Sequence, residues 1–102
     1  MPPPTLDGAR VLWWAWAGEK PFGELPGAEG DDRLVFGFAV CRYDAGSLYR
    51  FTCNQHWQVV QDMDHSDEGE AMTNIPAQYD VLRVAWQRYI AEPGAAADGG
   101  GM

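Results

Sequence analysis

The chain has 102 residues, fifteen of them acidic and seven basic, for a formal net charge of −8. That length is room for one domain, and 46% hydrophobic against 22% charged residues describes a packed globule and excludes an extended polar chain. A field of this sign repels phosphate backbones and anionic lipid headgroups, so the expected partner is a basic protein surface, with no nucleic acid and no membrane.

Residues 1–9 (MPPPTLDGA) and 92–102 (EPGAAADGGGM) are rich in proline, glycine and alanine. They offer little to bury, which predicts two disordered tails around a single α+β domain at 10–91. Val11 to Ala17 is apolar but far too short to span a bilayer. Ala15-Trp16-Ala17 has the form of a signal-peptidase site, yet no positive region precedes it, so a cytoplasmic protein is expected.

From Arg10 to Ala17, Leu12, Trp14 and Trp16 alternate with Val11, Trp13, Ala15 and Ala17, the pattern of a strand buried on both faces. Residues 18–32 hold four glycines, two prolines and five acids and read as a long surface loop. Leu34 to Arg42, Leu48 to Cys53 and Trp57 to Asp62 read as further strands, turning at Asp44-Ala45-Gly46 and Asn54-Gln55-His56. An even-numbered first hairpin loop would put Phe36, Phe38 and Val40 on one aromatic face with Tyr49, Phe51 and Cys53. Trp57 and Val59 would join them. The opposite face then gathers Val11, Trp13, Val35, Ala39, Cys41, Leu48 and Val60, with Arg50 and Thr52 among them.

Beyond Asp64 the period turns helical. Ser66 or Asp67 can cap, Glu70 can complete a capping box from Asp67, and Ala71, Met72, Ile75 and Tyr79 recur on one side until Pro76 interrupts. Two patterns fit residues 80–90: a strand from Val81 to Tyr89, or a helix opened by Pro76 with Tyr79, Leu82, Trp86 and Tyr89 along one stripe. The helix satisfies more positions, and Arg88 complements its dipole. The expected fold is therefore α+β, a four-stranded antiparallel meander followed by C-terminal helices packed on the sheet.

No motif in the chain names a reaction. Asp62, Asp64 and Asp67 begin like a calcium loop and are weak metal candidates, but Asp67 stands where glycine is needed and Thr73 where glutamate should close the site. A helix start favours such acids electrostatically in any case. Cys41 and Cys53 fall on opposite faces in the expected register, so they read as buried thiols without a disulfide. Two histidines, His56 and His65, do not complete a zinc site with them. Ser47, Thr52, Ser66 and Thr73 lie in no nucleophile motif, and the glycines form no phosphate loop. No catalytic residue and no cofactor are expected.

Trp14, Trp16, Trp57 and Trp86 fit the core. Trp13 and Arg50 share the second face, and aromatic–arginine pairs mark interfaces, so these two are the expected partner-binding residues. The leading functional expectation is a small acidic, non-enzymatic protein-binding module, inhibitor- or immunity-like, for a basic partner. Two alternatives stand beside it. One is a small enzyme or ligand-binding domain with its site between the 18–32 loop, which carries Glu19, Glu24 and Glu29, and the aromatic sheet face. The other is a homodimer built on the second face.

Overall fold

The computed structural model describes residues 1–90. The C-terminal tail expected at 92–102 lies outside the described residues. Strands β1 (Thr5–Leu6), β2 (Ala9–Trp16), β3 (Gly23–Glu24), β4 (Leu34–Val35), β5 (Gly37–Arg42), β6 (Leu48–Cys53), β7 (Val59–His65) and β8 (Gln87–Arg88) are joined by one α-helix, α1 (Glu68–Thr73). The main sheet is antiparallel in the order β1-β2-β5-β6-β7, with β8 added to β2 and β3-β4 forming a separate pair. It curls into a half-barrel.

This corrects the expected α+β meander with C-terminal helices: the fold is mostly β, and α1 is the only α-helix among the described residues. The error lies in residues 80–90, where a three-residue 3₁₀ turn (Val81–Arg83) precedes β8. The helical stripe fails because its members go to different places. Tyr79 is buried against Phe38, Leu82 is 95% exposed, and Tyr89 packs on the other side of the sheet. The free edge of β2 competes for this segment and takes it, pairing Trp13 with Arg88 and receiving Tyr89 N–H at Leu12 C=O, 2.8 Å.

The amino-terminal residues are also better ordered than a tail. Asp7 and Gly8 both have positive φ, 49° and 81°, the two-residue turn that matches strand twist, and they fold β1 back on β2 with Leu6 buried.

Two one-residue effects set the faces. The β5–β6 loop spans residues 43–47, an odd number, and pairs Phe38 with Thr52, Ala39 with Phe51, Val40 with Arg50 and Cys41 with Tyr49. Phe38 and Val40 are thus on the face opposite Tyr49 and Phe51, contrary to the even-loop expectation. In β2 the register shifts between Val11 and Trp13. This bulge leaves Val11 and Trp14 on one face while Leu12, Trp13 and Ala15 serve the other.

The first face packs Leu6, Ala9, Val11, Ala39, Cys41, Phe51 and Cys53 beneath Trp14, Trp57, Tyr43 and Tyr49. Small residues lie under large rings: a Cβ on Gly37 would fall 2.6 Å from Trp57 Cζ3, so glycine lets that indole lie flat on the strand. The second face carries Phe38, Val35 and Ala15 at one end and Val40 and Leu48 at the other, roofed by Phe22, α1 and residues 75–86. Phe38 is fully buried, stacked 5.2 Å from Phe22 and meeting Tyr79 edge-on at 5.3 Å. Burying such a ring stabilises the fold by about 1.5–3 kcal/mol.

Candidate functional site

The helix that roofs the second face is fixed by the acids read from the sequence. Asp67 caps α1, its carboxylate accepting Glu70 N–H at 2.8 Å. Glu70 reaches back to Ser66 N–H and Oγ–H and accepts from His65 Nδ1 at 3.0 Å. These bonds, that from His65 foremost, hold the Glu70 carboxyl below the usual carboxylate range. With Nδ1–H donated to Glu70, the Nε2 lone pair of His65 faces the Arg50 guanidinium at 3.4 Å.

Trp13, Val40 and Arg50 form one cross-strand row, so the structure brings Trp13 and Arg50 onto the same face. It also puts α1 over them. Arg50 is 2% exposed, donates Nη1–H to Asn74 C=O and pairs with no carboxylate among the described residues. Burial lowers its pKa. Arg50 is thus an interior anchor for the α1 roof and presents nothing to a partner. Trp13 is half-buried, donating its indole N–H to Glu68 Oε1 at 2.7 Å, with the Arg88 guanidinium 5.6 Å from its ring centre.

Asp62, Asp64 and Asp67 do not converge. β7 runs on to His65, so Asp62 stands opposite Phe51 and Asp64 opposite Tyr49, both on the first face, while Asp67 is spent on the helix. No group of three potential metal ligands occurs among the described residues. The cysteines share the first face after all, but Cys41 pairs with Tyr49 and Cys53 with Gly37, four residues apart along the strands. That offset, roughly 13 Å, keeps them unbridged. Burial pushes the Cys41 thiol up to about 12 and Cys53 higher still.

The loop of residues 18–32 is pinned to the second face, with an open cavity of about 400 Å³ beside it lined by Phe22, Glu24, Tyr79 and Arg83. Phe22 inserts against Phe38, and Arg83 donates to the carbonyls of Ala17, Lys20 and Pro21. His56 meets Asp31 at 3.3 Å on the exposed surface.

The strand charges are segregated by face. Arg10, Arg42, Arg50 and Arg88 all occupy register positions on the second face. The first face instead aligns Asp62 and Asp64 with Tyr49 and Phe51, while Tyr43 meets Tyr49 edge-on at 5.6 Å. Partial desolvation, then Asp7, Tyr49 and Asp62, lift the Tyr43 phenol pKa, so these acids and tyrosines share one neighbourhood. Its outer margin is β7, which among the described residues pairs only with β6; Gln61, Asp62, Met63 and Asp64 are all exposed. Tyr43 and Tyr49 are the residues that sequence reasoning missed as surface groups: the expected register, with Trp57 and Val59 beside Cys53 and Phe51, hid the pairing of Tyr49 with Asp64, and Tyr43 meets Tyr49 from the β5–β6 loop.

No helix among the described residues is long and apolar enough to cross a membrane. No protein-family model, curated protein or solved structure matches this chain.

Proposed function

We propose that the protein is a non-enzymatic binding module that receives an extended, basic segment of a partner protein along β7. The observation that carries this reading is the coincidence of a seven-residue edge strand, its outer side unpaired among the described residues, with an acidic, tyrosine-bearing face. An open edge presents a row of backbone donors and acceptors, which an added strand satisfies. Side-chain alternation then sets preference: a partner strand would place every second residue beside Asp62 and Asp64, where lysine or arginine gains charge complementarity and access to the tyrosine rings. The same acids discriminate against a second copy of this chain. Antiparallel self-pairing centred on Met63 would set Asp62 against Asp64 twice, a like-charge opposition that disfavours edge-to-edge assembly. The net charge of −8 adds long-range attraction for a basic partner.

The test is fluorescence anisotropy of a labelled peptide of roughly ten residues alternating lysine with valine. Binding is expected that weakens with salt, and weakens at least tenfold in the Asp62→Asn/Asp64→Asn variant. Equal affinity for a glutamate–valine peptide, or no loss in the variant, would overturn the proposal.

A further inference from the structure

At the opposite margin of the sheet, the outer edge of β2 is covered in two pieces. β1 pairs with Ala9 and Arg10, β8 pairs with Trp13 and Trp14, and between them the Leu12 bulge leaves a notch. A cavity of about 390 Å³ opens there, floored by Leu12 and the Val11 backbone and walled by Trp13, Tyr89, Glu68, Arg10 and Arg88. That volume is at the small end of ligand sites, and an apolar floor with a few convergent polar groups is their usual composition.

The charges in the notch are unbalanced. Arg10 and Arg88 are exposed, and neither contacts a carboxylate among the described residues. Arg10 also stands directly opposite Arg42, a like-charge pair that destabilises the strands unless an anion intervenes. Glu68 is at the notch but already engaged, by Trp13 Nε1 and by Arg42 at 3.8 Å. On a chain carrying −8, two unpaired guanidinium groups beside an indole are a local inversion of sign.

We infer that this notch binds a small monoanionic carboxylate with an apolar body, the carboxylate held by Arg10 and Arg88 and the body lying on Leu12 and Trp13. Arginine suits a carboxylate because its fork donates two parallel hydrogen bonds. Glu68 and the overall negative field select one charge over two, which favours a carboxylate over a phosphate monoester.

Octanoate is a suitable probe, titrated into the ¹⁵N-labelled full chain while the Trp13 indole N–H signal and the Val11 and Leu12 amides are followed. Those signals should shift, 1-octanol should bind at least tenfold more weakly, and Arg10→Gln/Arg88→Gln should weaken octanoate at least tenfold. Both arginines are exposed, and an unchanged spectrum elsewhere checks that the variant folds. Asp62→Asn/Asp64→Asn should leave octanoate binding unchanged, which separates this site from the β7 edge. Octanol binding as well as octanoate, inorganic phosphate binding as tightly, insensitivity to the arginine variant, or silence of Trp13 at about 10 mM octanoate would each overturn the inference.

Discussion

The two faces of the half-barrel are finished in different ways. The second face is roofed: α1, Phe22 and residues 75–86 close over it, and two of its four arginines, Arg50 and Arg42, are tied down by Asn74 and Glu68. Among the described residues the first face has no helix on it and is closed by its own rings, with Trp57 on Gly37 and Trp16 still 37% exposed. Burial under a second layer makes the roofed face structural. The self-covered face keeps aromatic and acidic groups at the surface, beside an edge that nothing pairs among the described residues. The division of charge follows the same line, so the β7 margin is acidic although arginines fill much of the opposite face.

The largest expected effect falls on the roofed face. Phe38→Ala removes the ring that Phe22, Tyr79 and Trp86 all contact and should cost about 3–5 kcal/mol in chemical denaturation. On the self-covered face Gly37→Ala should cost about 1–3 kcal/mol, because its Cβ displaces the Trp57 indole. Tryptophan emission should shift with it, since Trp57 lies 5.2 Å from Trp16. Unchanged emission would mean that face adapts freely. Asp67→Ala should cost about 1 kcal/mol by uncapping α1.

The smallest effect is a pH dependence of the roof. The folded state holds the Glu70 carboxyl below its ordinary value, so its contribution is fully present above the unfolded carboxylate range and is lost as pH falls through the lowered value. Glu70→Gln should therefore be less stable than the parent at neutral pH, with the gap closing on acidification. A constant gap from pH 7 to pH 3, followed by thermal melting, would show that the His65 bond carries no linkage.

Local chemistry was legible and long-range placement was not. β6 falls on the residues read for it, Leu48–Cys53, and Asp67 caps α1 as the capping pattern predicts, although Glu70 returns its bond to Ser66 N–H and not to Asp67 N–H. Asp7-Gly8 was a readable hairpin signal, masked by the proline-rich residues before it. The β2 bulge has no sequence mark in a run as uniformly apolar as Val11 to Ala17, and a turn region around Asp44-Ala45-Gly46 fits a loop of four residues as readily as five. Each slip inverts a face; for Trp13 and Arg50 the two slips cancel, which is why they share a row as expected while Cys41 and Cys53 do not stand apart as expected. Residues 80–90 were decided by an open strand edge elsewhere in the fold, information that no window of local sequence contains.

The most direct test of the acidic margin is amide hydrogen exchange with and without the lysine–valine peptide. Added-strand binding predicts new protection at the outward-facing amides of Val59–His65 and none around the Trp13 notch. Protection at Trp13 and Arg88 instead, or β7 amides that exchange equally fast with saturating peptide, would contradict the account.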